Sequence, residues 1–269
     1  MRTLVHLSDL HFDRVDRDVV AALAGTVKAI APDLIAVSGD LTQRARSRQF
    51  IEARAFLDSL AAPRIVVPGN HDVPLHNVFA RFLNPLGGYR RHITADLHPQ
   101  YSDPEVTVVG TDTTRSLTIG GGGIRRGEVR RLREMLHAAG ESTVKVVVAH
   151  HPFDTPYAGA TIRGAHHGAD AVELLACDGV DVFLTGHLHV TYAGPTATRY
   201  RVEGRSAIVV EAGTATSTRV RGEPNAFNVL RVEAAAIVVE HLEWHSASRA
   251  FSSSEVQRFA RTPEGWVAD

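Results

Sequence analysis

A chain of 269 residues that is 44% hydrophobic and 22% charged has the apolar content of a folded protein, which argues against disorder and for one main domain. Its formal charge of −1 gives no global attraction to nucleic acid or an acidic membrane, so a nucleic-acid partner is not expected. The lone cysteine, Cys177, excludes an intrachain disulfide and a thiolate metal site, which leaves metal chemistry to His and Asp and suggests a reducing, cytoplasmic setting.

The opening Met1-Arg2-Thr3-Leu4-Val5-His6-Leu7-Ser8 is too short and polar for a signal peptide's apolar stretch, and it passes straight into a strand pattern. No run reaches membrane-spanning length. Short β-branched runs then alternate with helical periods, predicting βα units with strands at 3–7, 34–37, 64–67, 106–109, 144–149 and 182–184. Val19, Leu23, Val27 and Ile30 recur at three- and four-residue spacing and give one helix an apolar face. A second helix is expected over 48–60, with Phe50, Ala53, Phe56, Leu57 and Leu60 inward. The segment 76–103 is long enough to form a cap over the mouth of a site. The run Gly120-Gly121-Gly122-Gly123 lacks the Gly-Lys-Ser/Thr ending of a phosphate-binding loop and reads as a flexible loop. Arg125, Arg126, Arg130, Arg131 and Arg133 open a helix with Glu128 and Glu134 interspersed, a pattern of a solvated face. Beyond about residue 190 the helical period ends, and strands are expected at 206–211, 228–232 and 237–242. The main domain therefore covers 1–245, with 246–269, rich in serine, as a loosely held C-terminal extension.

Residues able to bind metal fall just after the predicted strands, where the loops of a parallel sheet gather on one edge. Strand one runs into Asp9-Leu10-His11, whose two side chains point to one side if the backbone is extended. Strand two ends in Gly39-Asp40, and a carboxylate can bridge two cations. The later strands end in Gly69-Asn70-His71-Asp72, His150-His151-Pro152 and Gly186-His187-Leu188-His189. Singly each piece is weak, and a strand-end histidine is most often a surface or hydrogen-bonded residue. Their convergence points to one metal site rather than a hydrogen-bonded polar rim.

This order of motifs resembles the calcineurin-like metallophosphoesterases, and the likeness spans about residues 3 to 190. It implies an α/β fold, a four-layer α/β/β/α sandwich with two mixed sheets. It also implies two metal ions, one held by Asp9, His11 and His189, the other by Asn70, His150 and His187, with Asp40 bridging. His150 is taken over His151 because the family motif is His-x-Pro, leaving His151 a structural or supporting role. Donors without sulfur suit Fe, Mn or Zn, which the sequence does not rank. By the same likeness His71 stabilises the transition state or protonates the leaving oxygen, and Asn70 and His71 contact substrate. Asp72 orients a neighbouring histidine or caps the turn. Two cations so held, ~3.5–4 Å apart, would lower the pKa of a bridging water, so that hydroxide would attack phosphorus in line with the leaving group.

Gln43 stands where purple acid phosphatases carry a tyrosine ligand, which argues against a charge-transfer ferric site. His6-Leu7-Ser8-Asp9-Leu10-His11, Gly39-Asp40-Leu41-Thr42 and Gly110-Thr111-Asp112-Thr113 are similar to bacterial class III cyclic nucleotide phosphodiesterases and glycerophosphodiesterases. A small phosphodiester is the expected substrate. A nuclease or lipid-headgroup hydrolase would need an electropositive surface or an apolar lid as well, and a non-catalytic scaffold would have lost ligands that this chain retains. His166 and His167 lie between two ligand strands, either within reach of substrate or in an ordinary loop. A homo-oligomer is compatible with the sequence.

Overall fold

The computed structural model describes residues 1–140, 143–153, 164–196, 205–219 and 222–269. Three parallel strands, β1 (Arg2–Leu7), β2 (Leu34–Ser38) and β3 (Arg64–Val67), are linked by α1 (Arg17–Ile30) and α2 (Ser47–Ser59). The Asp16 carboxylate caps α1 by accepting from Asp18 N at 2.9 Å. Two short helices, α3 (Val78–Leu83) and α4 (Gly87–His92), precede the edge strand β4 (Gln100–Ser102). A second parallel group follows: β5 (Val106–Gly110), α5 (Arg126–His137), β6 (Val144–Val148), α6 (Gly168–Cys177) and β7 (Val182–Thr185). The chain then forms β8 (Tyr192–Pro195), β9 (Ile208–Glu211), β10 (Ala226–Val232), β11 (Ala236–His245), β12 (Ala250–Thr262) and β13 (Gly265–Ala268).

The strands form two mixed sheets, ordered β13-β12-β11-β10-β1-β2-β3 and β4-β5-β6-β7-β9-β8. Alternation of side chains across each strand divides the core into three layers. Leu4, Leu34, Ala36, Ile65 and Val67 face the second sheet's Val108, Val146, Leu184 and Val210. Val5, Leu7, Ile35 and Val37 turn the other way, onto Val19, Leu23, Phe50 and Phe56 of α1 and α2. Val109, Val147 and Phe183 likewise pack against Leu132 and Leu136 of α5 and Val172 and Leu175 of α6. Each such buried side chain contributes roughly 1.5–3 kcal/mol. The result is the α/β/β/α sandwich that the resemblance implies, and it places the C-terminal ends of β1, β2, β3, β6 and β7 along one edge. On α5 the arginines Arg126, Arg130 and Arg131 face solvent, as their pattern suggests.

The tail departs from expectation. Residues 250–268, expected as a loosely held extension, form β12 and β13, hydrogen-bonded to β11 and to each other. Trp266 is fully buried, and its Nε1 donates to Asp181 Oδ1 at 2.9 Å. Arg261 lies over the same indole, 4.7 Å from its centroid, and pairs with Asp181 at 3.0 Å. Much of β12 is solvent-exposed, so its serines carry no apolar alternation, and ladder bonds plus Phe251 and Phe259 hold it instead.

In the 76–103 segment, α4 is pinned to the core by Tyr89, whose hydroxyl donates to Val66 O at 2.8 Å. Helix α3 leaves Val78, Phe79 and Leu83 exposed. Among the described residues no helix is long and apolar enough to cross a membrane.

Candidate metal centre

Five of the seven residues that the sequence marks as metal donors occupy left-handed backbone: Asp9 at φ 53°, His11 at 49°, Asp40 at 51°, His187 at 72° and His189 at 60°. Asp9 and His11 are therefore not extended, as the sequence reading assumes; each strand end turns sharply, and the turn rather than strand alternation aims both side chains inward. Such a conformation costs a non-glycine residue roughly 1–2 kcal/mol and is most accessible to Asp, Asn and His. Strain concentrated at one sheet edge is a mark of a functional site. Glycine is required beside it: a Cβ at Gly69 would overlap Asp40 Oδ1 and its backbone nitrogen.

The donors gather in two sets. In the first, Asp9 Oδ1 lies 3.0 Å from His189 Nε2 and 3.4 Å from His11 Nε2, and the two imidazole nitrogens are 3.3 Å apart. In the second, His150 Nε2 lies 3.0 Å from Asn70 Oδ1 and 3.4 Å from Asp40 Oδ1, with the His187 ring centroid 5.1 Å from that of His150. Asp40 reaches both sets, its Oδ2 being 3.7 Å from His11 Nε2. Asp9, His11, Asp40, His150, His187 and His189 are all buried, and Asn70 is half-buried.

Hydrogen bonds around the cluster fix which nitrogen faces inward. His150 Nδ1 donates to Ser38 O at 2.7 Å, and His189 Nδ1 donates to Arg219 O at 3.1 Å. Each ring thus turns a lone pair on Nε2 toward carboxylate or amide oxygens that also carry lone pairs. Asp9 Oδ2 is held by Ser8 Oγ at 2.7 Å and His187 N at 2.9 Å, while Oδ1 has no aligned donor among the described residues. Acceptors facing acceptors in a buried space call for a cation, and the nitrogen and oxygen donors fit a transition-metal ion. Burial alone would lower His150, yet the Asp40 and Asp9 carboxylates raise it to about 9, so without a metal Nε2 carries a proton, in the place that a bound cation would take by displacing it. Burial opposes ionisation of Asp9 too, but His189 and His11 hold it well below the usual carboxylate range.

Asp72 turns out to fasten two of these loops together. Its carboxylate accepts from Leu41 N, Thr42 N and Thr42 Oγ1 at 3.1, 2.9 and 2.9 Å, and from Gly69 N at 3.0 Å. The loops bearing Asp40 and Asn70 are thereby held in register.

His71 stands at the mouth, beside a cavity of about 100 Å³ also lined by Gln43, Arg44, Asn70 and Arg81. Its Nδ1 donates to Gln43 O at 2.9 Å, and its Nε2 lies 3.1 Å from Arg219 Nη1, so Nε2 accepts from the guanidinium. Burial lowers the His71 pKa, with His11 and Arg219 adding to the effect and Asp40 opposing it. With the Gln43 amide turned so that its oxygen faces the guanidiniums, it accepts from Arg44 Nη1 at 2.6 Å and Arg219 Nη1 at 3.3 Å, tying both cations to the same corner. Arg81 does other work: its guanidinium binds Pro74 O, Ser116 O and Thr118 O, strapping α3 to the neighbouring loop.

A family model for the calcineurin-like phosphoesterases matches residues 2–191. The chain belongs to that family. A glycerophosphodiester phosphodiesterase of Enterobacter lignolyticus is 33% identical over 96 residues, 31% of this chain and 33% of its own. A probable cyclic nucleotide phosphodiesterase of Synechococcus is 27% identical over 178 residues, 64% of either chain. The alignments thus span a third and just under two thirds of these relatives. Among solved structures, the phosphoesterase chain is similar in fold to a purple acid phosphatase from yellow lupin, with TM-score 0.68, 12% identity, and coverage of 94% of this chain and 52% of that one. A dimetal phosphatase from Danio rerio gives 0.66 and 14%, covering 94% and 98%.

Sequence reasoning missed Arg44 and Arg219, which no motif marks and which only the fold brings to His71. It also singled out His166 and His167, which are exposed, pack on each other with centroids 4.0 Å apart, and do not line the His71 cavity.

Proposed function

We propose that this calcineurin-like phosphoesterase is a dinuclear-metal-dependent phosphodiesterase that hydrolyses a small phosphodiester, a cyclic nucleotide or a glycerophosphodiester. The observation that carries the reading is Asp40, whose two oxygens face the His150 set and the His11 set respectively. Asp9, His11 and His189 would hold one ion and Asn70, His150 and His187 the other, with Asp40 between. A pair of bound cations supplies an activated water and neutralises phosphoryl charge. Fe, Mn and Zn all suit the donors.

The remaining steps belong to the chain's own groups. Arg219 and Arg44 draw an anionic phosphoryl group toward the cavity beside His71. When that anion takes over the Arg219 guanidinium, His71 Nε2 is released. A neighbouring anion favours the protonated ring, so His71 Nε2 takes up a proton from solvent water and then gives it to the leaving oxygen, while Nδ1–H stays on Gln43 O. The two diesterase relatives support the substrate class.

Hydrolysis of bis-p-nitrophenyl phosphate by metal-free protein supplemented with Mn²⁺ tests the reading, followed by a panel of cyclic nucleotides, glycerophosphodiesters and DNA. Metal-dependent turnover of the small diesters is the expected result; absence of metal-dependent hydrolysis of any phosphoester sinks it. A second reading, a lipid-headgroup hydrolase, draws on exposed Phe79, Leu83, Leu117 and Ile119 near the Arg81 strap. Preference for glycerophospholipid over its deacylated head group would favour it.

A further inference from the structure

Large apolar side chains left in water gather at one place on this molecule. Eleven are exposed among the described residues, and six of them are Val78, Phe79, Phe82 and Leu83 of α3 and Leu117 and Ile119 of a neighbouring loop. Single exposed hydrophobes need no explanation, but a contiguous group marks an interaction surface.

The six are contiguous because of Arg81. Val78 and Phe82 are four residues apart, as are Phe79 and Leu83, so the four form one stripe along the helix. Arg81 turns away from that stripe, is buried, and donates to Ser116 O and Thr118 O, the carbonyls on either side of Leu117. Leu117 is thereby held beside α3. Ile119 lies two residues further on and lines the His71 cavity together with Val73 and Leu75. The stripe therefore runs from α3 to the mouth of the site, with Phe79 80% and Leu83 82% exposed.

Positive charge flanks it. Asn77, Ala80 and Asn84 of α3 form one wall of a groove whose other lining residues include Arg44, Arg46 and Arg91 and no carboxylate. On the same α2 whose start bears Arg46, Arg48 and Arg54 are paired with Glu52 and Asp58. The carboxylates that line the next cavity along α3, Asp112 and Glu128, are engaged by Thr114 N at 2.7 Å and by His98 Nε2 at 3.1 Å.

We propose that α3 and the loop bearing Leu117 and Ile119 form a docking surface for an anionic lipid membrane. The apolar stripe enters between the head groups, and Arg46 and Arg91 meet lipid phosphates. Charge selects this occupant: a second copy docked about a two-fold axis would bring the same arginines together, whereas an anionic bilayer answers both the stripe and the groove. The formal charge of −1 gives no pull from the molecule as a whole, so the attraction is local and is weakened by salt. Docking holds the His71 cavity at head-group level. A docked chain can still hydrolyse a soluble diester, so the inference stands apart from the choice of substrate and from the metals.

The test is cosedimentation of the full chain with vesicles of phosphatidylcholine alone and of phosphatidylcholine with about one third phosphatidylglycerol. The expected result is binding to the anionic vesicles that is about tenfold weaker on neutral ones and falls as salt is raised. Phe79→Ser and Leu83→Ser should each weaken it about tenfold, and Arg46→Gln and Arg91→Gln about fivefold each. All four side chains are exposed, so circular dichroism and Tm should stay as in the unaltered protein. Absence of binding to both vesicles, equal binding to both, or binding unchanged in Phe79→Ser and Leu83→Ser overturns the proposal. So does a dimer in sedimentation velocity that Phe79→Ser splits into monomers, which would give the stripe to a second copy.

Discussion

His71 and Arg219 meet at 3.1 Å, and it is at this contact that the proposed catalytic role of His71 can be tested apart from metal binding. His71 touches the cluster at its rim: its backbone N–H donates to Asp40 Oδ1 at 2.8 Å and its ring packs edge-on to His11 with centroids 4.7 Å apart, while its ring nitrogens meet Arg219 and Gln43. Truncation to alanine leaves that backbone bond and the other donors in place. His71→Ala is therefore expected to retain full metal content and lose ~10²–10⁴-fold in kcat; unchanged kcat in the metal-replete variant would remove the role. Arg219→Ala deletes the guanidinium but keeps the backbone carbonyl that orients His189. The expected result is a raised KM for a diester and weaker inhibition by inorganic phosphate at unaltered metal content, with Arg219→Lys intermediate because lysine keeps the charge but not the planar fork. Equal phosphate inhibition in all three proteins would argue that Arg219 only positions His71.

At the scale of elements, what the sequence made legible follows from periodicity. Strands such as β2, buried on both faces, read as continuous apolar runs, and their ends announce themselves because Asp, Asn and His there cannot continue a core. Loops that approach from another part of the chain carry no such signal. Arg219 follows a buried turn whose Thr216 Oγ1 donates to Leu10 O at 2.8 Å, a contact across 206 residues that no local pattern encodes. The tail was illegible for a different reason: β12 is a largely solvated strand, so its pairing depends on the ladder with β11 and not on its own side chains. Its energetic anchor is Trp266, buried in the inter-sheet core and bonded to Asp181, which also accepts from Lys145 N at 2.9 Å. Trp266→Ala should cost ~3–5 kcal/mol, combining lost transfer energy with a cavity. Urea unfolding of the variant measures it, and a loss below ~1 kcal/mol would restore the view of the tail as a dispensable extension.

Across the whole molecule, the metal cluster is backed by a directional chain of neutral groups that joins the first sheet's late strands to its first ones. His241 Nδ1 donates to Asn228 Oδ1 at 2.6 Å, Asn228 Nδ2 donates to His6 Nδ1 at 3.3 Å, and His6 Nε2 donates to Ser38 Oγ at 2.9 Å. Ser38 in turn offers its carbonyl to His150. The chain places β10 and β11 directly behind the β1 and β2 loops, and it works only while His6 is neutral, since a second proton on the ring would meet the Asn228 amide hydrogens. Burial accordingly lowers the His6 pKa to about 3, with Asp9 pulling the other way. The unfolded chain titrates near the ordinary value of ~6.5. Between these two values the unfolded state holds a proton that the folded state refuses, so acid favours unfolding. Stability is unaffected by this group above about pH 6.5 and declines by up to ~1.4 kcal/mol for each pH unit below it, or ~2 kcal/mol from pH 6.5 to 5. Replacing His6 by Gln removes the titrating group while keeping a side chain that can donate and accept. Its stability at pH 7 should drop through imperfect geometry, but its decline between pH 6.5 and 5 should be shallower than that of the unaltered protein by ~2 kcal/mol. Guanidinium unfolding of both proteins at fixed metal and salt measures the difference in slope, which is insensitive to the loss at pH 7; parallel slopes would mean that His6 does not stay neutral in the folded chain.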